Sequence, residues 1–367
     1  MAGVSRGKVL LTGATGFVGS SLAVELLQRG WEVVTLVRGA SEVAARQRVR
    51  LSLTPLLGDG AEEAAAAIRV FPGDLTDART FERAEFDQVT HVVHAAACTS
   101  FSARQDVWRV NLEGTERLAR RMQGNGGLQR FVHVSTAYCC GDRPRRVVME
   151  DDAPQPEHGH VNDYTRSKAS AELALRAMNW GDRLLVARPS IVVGHTALGV
   201  VPSTSLFWYY RALATLCRGP HALDARRDVI PVDYVARALA FLLELEQPAH
   251  STYHISAGAE ASRPLGEILR GLTVGGALGG WRQVAAAELA EVTPELVALV
   301  RTTDEARRLA RGLSACARFG ELAVQWFDNA RLLAEGLGAP PAFTDYLDVC
   351  LRTTGSSSIY EQMVDDA

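Results

Sequence analysis

Residues 11–19 read Leu-Thr-Gly-Ala-Thr-Gly-Phe-Val-Gly, a stretch that narrows the possible folds more than any other in the chain. Before it, Lys8-Val9-Leu10-Leu11 is a short apolar run that reads as a strand. After it, Ser20 to Gln28 carries Leu22, Val24, Leu26 and Leu27 at helical spacing, and Gly30 stops the helix. Strand, glycine turn and helix in this order make a dinucleotide-binding unit. Gly13 permits the tight turn, Gly16 lets the backbone approach a pyrophosphate, and Gly19 lets the helix pack close to the strand. The helix N-terminus offers free N–H groups and a positive dipole end to the phosphates. Thr12, Thr15, Phe17 and Val18 belong to the same turn and are expected at the cofactor.

The rest of the chain sets the frame. Its 367 residues suffice for one large α/β domain with a smaller lobe. A formal net charge of −3 gives no basic surface for nucleic acid. No stretch is long and apolar enough for a transmembrane segment. The run from Met1 to Lys8 leads straight into the first strand, which leaves no room for a signal peptide. The cysteines include the neighbours Cys139 and Cys140 but no Cys-x-x-Cys, which fits reduced thiols in a cytoplasmic protein. The histidines show no metal-ligand spacing, and no metal is expected.

Further strands are expected at Trp31–Val37, Ile68–Phe71, His91–Ala95, Arg130–Ser135, Arg183–Arg188 and Thr252–Ser256. Helical patterns at Val107–Met122, Tyr164–Met178 and Val232–Leu245 lie between them, and the arginine-rich segment before Leu57 also reads as helical. Strands alternating with helices predict an α/β doubly wound parallel sheet, a Rossmann fold. Residues 1–193 and 229–257 would form this dinucleotide-binding domain. Residues 194–228 and 258–367 break the alternation and would form a smaller, mainly helical C-terminal substrate lobe. The lobe would sit near the carboxyl ends of the strands, where open α/β sheets bind ligands.

Arg38 stands 19 residues after Gly19, at the tip of the second strand. An acidic residue there would take the ribose hydroxyls of NAD, whereas a basic one favours the 2′-phosphate of NADP. NADPH is therefore the expected cofactor. Arg46 and Arg48 read as a solvated helix face. Gly73-Asp74-Leu75 ends the third strand, where an adenine edge would lie, and Asp74 could accept from its amino group. His94-Ala95-Ala96-Ala97 ends the fourth, where small side chains let a cofactor lie flat. Asn111 would be a hydrogen-bonder near the site. Pro189, which follows the sixth strand, and Tyr164 and Lys168 complete the expected cofactor-binding set.

Tyr164 and Lys168, four apart, share one face of a helix. An ammonium beside a phenol should lower the phenol's pKa. The phenol could then give a proton to a carbonyl as hydride arrives. Lys168 could also hold the nicotinamide ribose. Thr136, in Ser135-Thr136-Ala137-Tyr138, would hydrogen-bond the substrate oxygen, while Ser135 reads as a satisfied strand-end hydroxyl. Cys139 and Cys140 read as structural thiols, because no histidine is spaced to activate them. Phe207-Trp208-Tyr209-Tyr210 fits a substrate channel or a packed helix face equally well.

Together these motifs resemble those of an extended short-chain dehydrogenase/reductase over residues 8–258, with Arg188-Pro189-Ser190 and Pro231-Val232-Asp233-Tyr234-Val235-Ala236 among them. Leu36-Val37-Arg38-Gly39 and the arginine-rich helix also look like thioester reductase domains. The runs His94–Phe101, Asn111–Thr115, Phe131–Tyr138 and Trp326–Asn329 are similar to fatty acyl-CoA reductases of the male-sterility type. The resemblance implies NADPH-dependent reduction of a small-molecule acyl thioester to aldehyde or alcohol. The thioester would be delivered by CoA or by an acyl carrier protein, arriving in trans because no carrier domain precedes this stretch. A ketone, aldehyde or hydroxysteroid-type carbonyl reductase would use the same triad. A nucleotide-sugar epimerase shares fold and triad. A dehydratase would need an acid pair after Thr136, where Ala137-Tyr138 stand. A non-catalytic NADP-sensing protein would need no proton donor.

Overall fold

The computed structural model describes residues 6–99, 104–143, 146–154, 159–276 and 278–365. Ser100 and Phe101, which belong to the His94–Phe101 run singled out above, lie outside the described residues.

The glycine turn joins strand β1 (Lys8–Thr12) to helix α1 (Phe17–Gln28). There follow β2 (Glu32–Val37), α2 (Glu42–Leu57), β3 (Arg69–Pro72), β4 (His91–His94), α3 (Thr115–Gln123), β5 (Arg130–Val134), α4 (Asp163–Arg176) and β6 (Leu184–Pro189). After α5 (Phe207–Leu216) and α6 (Val232–Glu244), β7 (Thr252–Ile255) completes a seven-stranded sheet. Its order is β7-β6-β5-β4-β1-β2-β3, with every pairing parallel. This is the doubly wound sheet expected from the alternation, and its order reverses between β1 and β4.

Both faces of the sheet are covered, so its strands are near-continuous apolar runs. Val9 and Leu11 point into one core with Leu22, Leu26, Val235 and Leu239 of α1 and α6. Leu10, between them, points into the opposite core with Val92, Leu118 and Phe131. A third core, distinct from the sheet's, gathers Phe207, Leu213, Leu265, Leu309, Leu313 and Phe343. The four aromatics Phe207–Tyr210 are all buried there, so they form a packed helix face.

Two short pairings lie outside the sheet, and the second ties this lobe to the segment that follows β5. Ile191–Val192 lies parallel to Val229–Ile230, and Trp326–Phe327 lies parallel to Val147–Val148. Two buried carboxylates reinforce the second. Asp228 accepts from Ala257 N at 2.7 Å and Phe327 N at 3.0 Å. Glu150 accepts from His254 N at 2.8 Å and Arg331 N at 2.9 Å. The Trp326–Asn329 run is thus a seam: Asn329 Nδ2 also donates to Ser256 O, and Ser256 Oγ to Phe327 O.

One expected helix differs. The Val107–Met122 pattern is interrupted by a widened π turn over Arg109–Gly114. Gly114 lies where a Cβ would come within 2.9 Å of Leu75 Cβ, and Asn111 is buried within this turn. Such turns recur at functional sites.

Candidate active site

Parallel strands place Gly13, Arg38, Asp74, Ala95, Thr136 and Ser190 at one edge of the sheet, each just beyond its strand's carboxyl end. The glycine turn is built by close backbone approach. Gly13 has φ +80°, and a Cβ there would lie 2.6 Å from Ala96 N and 2.8 Å from the Ala95 carbonyl carbon. A Cβ on Gly19 would lie 1.9 Å from Gly13 O, so α1 packs directly on the turn. Gly16 is the exposed residue capping α1, where the nearest heavy atom to an added Cβ is 3.4 Å away. A concave backbone cradle that side chains would fill, set at a helix N-terminus, fits a dinucleotide pyrophosphate. Thr15, Phe17 and Val18 sit partly exposed along it.

Behind the cradle, side chains lock the edge. Ala96 N donates to Thr12 Oγ1 at 3.3 Å, leaving the Thr12 hydroxyl to donate to His94 Nδ1 at 2.7 Å. His94 Nε2 then meets Thr115 Oγ1 at 2.8 Å, and Thr115 donates to Asn111 O at 2.7 Å. Burial keeps His94 neutral, its pKa pushed down to about 3, with Lys168 adding to the effect. Asn111 accepts from Cys98 N at 2.7 Å and donates to Cys98 O and Ser167 Oγ, each at 3.0 Å. The side chains of Thr12 and Asn111, expected at the cofactor, are therefore committed to protein partners. They hold the Ala95–Cys98 loop against β1 and α4. The Leu75 side chain likewise lies in the core, so only its backbone is available to a ligand. Asp74 Oδ1 caps Thr76 N at 2.7 Å in the turn after β3. Pro189 is buried in β6 beside Ile255.

Arg38 is exposed at the tip of β2. Arg48 donates to its carbonyl at 3.1 Å, which steadies that tip. Arg46 is no free solvated cation: it donates to Ala65 O and Ile68 O and pairs with Glu42.

The catalytic candidates lie on β5's exit and on α4. Asn162 caps α4 through Thr165 N at 3.0 Å, which fixes where Tyr164 emerges. Lys168 is buried, and its ammonium donates to Val134 O at 2.5 Å. Burial lowers its pKa to about 8, and the buried carboxylate of Glu172 opposes that shift. The Tyr164 phenol is pushed up to about 12, by burial first and Cys139 second. This corrects the expectation that Lys168 draws the phenol toward neutrality: here desolvation dominates, and the lysine is held by a carbonyl. Thr136 Oγ1 accepts from Tyr138 N at 3.3 Å, so its hydroxyl hydrogen remains available to donate elsewhere.

Ser135 Oγ donates to Glu172 Oε2 at 3.2 Å, the satisfied hydroxyl that was expected. Cys139 Sγ donates to the same oxygen at 3.5 Å. Burial raises both Cys139 and Cys140, the latter to about 12, as inert structural thiols require. Glu172 was not anticipated, although its spacing of four from Lys168 was a readable signal. Arg188 and Arg176 pair with it, and together they hold it ionised below its ordinary pKa despite burial. Surface clefts of about 380 and 630 Å³ lie elsewhere, and neither is lined by Thr136, Tyr164 or Lys168.

A glycine cradle, a Tyr-x-x-x-Lys helix and a threonine at the carboxyl edge of a doubly wound sheet define the extended short-chain dehydrogenase/reductase class, which binds a nicotinamide dinucleotide. Within that class, residues 11–239 match the model of the male sterility protein family, and the chain belongs to it. Among curated relatives it is 28% identical to aldehyde reductase lnbA of Aspergillus flavus over 68% of this chain and 26% of that protein. It is 31% identical to sterol demethylase protein B of Methylococcus capsulatus over 62% of this chain and 65% of that protein. The chain thus spans only part of these relatives' length. Among solved structures, the terminal R domain of the myxalamid PKS-NRPS pathway superposes with TM-score 0.77 at 22% identity, over 96% of this chain and 91% of that one. A thiolation-reductase di-domain from an archaeal non-ribosomal peptide synthetase gives 0.74 at 20%, over 95% and 75%. These likenesses confirm the fold, sheet and helical lobe alike.

Proposed function

We propose that the protein is an NADPH-dependent reductase that converts an acyl thioester to an aldehyde, and can carry the aldehyde on to the alcohol. The observation that carries this is Tyr164, Lys168 and Thr136 standing at the same sheet edge as the glycine cradle. The named relatives support the substrate class: an aldehyde reductase, a terminal R domain and a domain joined to a thiolation domain. Delivery by CoA or by a carrier domain fits equally. Arg38, exposed beyond β2, supports NADPH over NADH.

When bound, the cofactor supplies hydride to the thioester carbonyl carbon. The chain's own groups do the rest. Thr136 donates to the carbonyl oxygen and steadies the charge that develops there. Tyr164, whose raised pKa keeps it protonated at neutral pH, gives that oxygen a proton. Lys168 holds positive charge beside the phenol below about pH 8. Cleavage of the C–S bond then releases aldehyde and thiol, and a second hydride and proton make the alcohol.

The test follows NADPH absorbance together with a colorimetric thiol reagent, using acyl-CoA and carrier-bound acyl substrates. Thiol release matched to NADPH loss is expected. NADPH loss with aldehydes or ketones, but never with thiol release, makes the protein a simple carbonyl reductase. A nucleotide sugar changed without net cofactor loss makes it an epimerase.

A further inference from the structure

We propose that Glu172 is a positioning residue, whose carboxylate sets the Thr136 segment in register with the helix that carries Tyr164 and Lys168. The proposal rests on the catalytic roles just given.

Tyr164, Lys168 and Glu172 are four apart on α4 and share one face. Glu172 is fully buried. Its partners come from three elements. From the exit of β5, Ser135 Oγ and Cys139 Sγ both donate to Oε2. These residues bracket Thr136, so one oxygen holds the chain on either side of that hydroxyl. From β6, Arg188 donates through Nε to Oε2 at 3.1 Å and through Nη2 to Oε1 at 2.5 Å. From α4 itself, Arg176 donates to Oε1 through Nε at 3.1 Å and Nη2 at 2.9 Å. Arg188 also donates to Asp152 O at 3.0 Å, and Arg176 to Thr252 Oγ1 at 2.5 Å, so neither guanidinium can swing away.

A buried ion pair adds little stability by itself, because desolvation opposes the Coulomb attraction. What this one supplies is geometry. An apolar residue could fill the same volume but could not accept from Ser135 and Cys139. Those donors would then be buried without a partner, and the loop between them would be free to shift. A displacement of about 1 Å in a catalytic group can lower the rate on the order of a hundredfold.

The same carboxylate faces Lys168. Among the described residues, the other groups that act on that ammonium are His94 of β4, His133 of β5 and Cys139 of the following turn, while Tyr164 shares its helix face. Both histidines are neutral, since burial holds each well below its ordinary pKa. Cys139, whose raised thiol stays protonated at neutral pH, brings no charge there. Glu172 is therefore the anion that favours the charged lysine, while Arg188 and Arg176 offset part of its field.

The sequence makes this testable without turnover. Lys8 and Lys168 are its only lysines. Lysine labelled with ¹³C at Cε therefore gives two resonances, and Lys8, paired with Glu32 at 3.0 Å, is an internal control. In Glu172→Gln, the Lys168 midpoint should move down by about a pH unit while Lys8 stays. kcat should fall at least tenfold, NADPH affinity should hold within about twofold, and the alkaline limb of the kcat profile should move to lower pH. If Glu172→Gln does not fold, Ser135→Ala combined with Cys139→Ala keeps the ion pair and removes both bracketing donors. It should lose kcat at least tenfold with native NADPH affinity and a native Lys168 midpoint. Native kcat in the double variant, or a native midpoint and kcat in Glu172→Gln, overturns the proposal. A native protein that reduces aldehydes but no thioester removes the thioester reading alone, because aldehyde kcat then serves for the variants. A native protein that turns over neither sinks the catalytic reading, and the Lys168 midpoint in Glu172→Gln then decides the role of Glu172.

Discussion

The two halves of the site are held in place by different physics. The cofactor side is backbone packed on backbone: Gly13 against Ala95 and Ala96, and Gly19 against Gly13. The proton-donor side, and the seam that joins the lobe to the sheet, depend on buried charge: Lys168 on Val134 O, Glu172 between two arginines, and Asp228 and Glu150 on backbone N–H groups. Backbone contact is indifferent to pH and intolerant of any added atom. Buried charge tolerates small changes of shape but responds to protonation. The two halves should therefore fail in different ways.

The largest effect should come from the chemical group itself. Tyr164→Phe removes a proton donor and nothing that a cofactor leans on. Turnover should drop on the order of a hundred- to ten-thousand-fold, while the dissociation constant for NADPH, read by fluorescence titration, stays native. A variant of near-native rate would mean that the proton comes from elsewhere.

Gly19→Ala tests the backbone-built half. Its Cβ would fall 1.9 Å from Gly13 O, with no flexible side chain to yield. Overpacking of this kind costs typically about 1–3 kcal/mol. The variant should unfold at lower urea and bind NADPH at least tenfold more weakly at every pH. Gly16→Ala, whose nearest contact is 3.4 Å, should keep native stability. Equal stability losses in the two would break the distinction.

This contrast also explains what the sequence made legible. The glycine turn is a local device, with its strand, turn and helix inside one stretch of chain, so residues 8–28 were enough to read it. Thr136, Tyr164 and Lys168 were legible as motif positions, but not their electrostatics: burial is a property of the folded sheet, and it reversed the expected direction for Tyr164. Thr12, Leu75 and Asn111 turn their side chains into the protein, since only tertiary contacts decide which way a residue near a strand end faces. Glu150 and Asp228 gave no signal. Glu150 bonds His254 N and Arg331 N, 104 and 181 residues away, and no periodicity reports contacts of that range.

Arg38→Asp sharpens the cofactor side further. Arg38 is exposed, so its removal should leave the fold intact. NADPH affinity should fall about tenfold or more, roughly 1.4 kcal/mol, with NADH affinity comparatively unchanged. Native protein that binds both cofactors equally would remove the role of Arg38.

A pH-dependent effect tests the seam. Burial raises Glu150 to about 7 and Asp228 to about 6, against the opposing pull of their backbone N–H donors. A carboxyl raised in the folded state stabilises the fold below its ordinary pKa, and that stabilisation is lost as pH rises through the folded value. For Glu150 the window runs from 4.5, the ordinary value, to about 7. Each pH unit of that window is worth about 1.4 kcal/mol, so the loss is at most on the order of 3 kcal/mol. Glu172 has the opposite sign, because its pairing with arginine lowers its pKa and stabilises the fold above the ordinary carboxylate range. The whole-protein profile mixes the two, so the comparison must be between variant and native. Glu150→Gln should lose one backbone bond at every pH, yet its urea midpoint should decline less than the native one between about pH 5 and pH 8. Gly16→Ala, on the backbone-built side, should keep the native slope. If Glu150→Gln declines as steeply as native protein, the seam carries no titrating charge, and the two halves of the molecule do not differ as their construction implies.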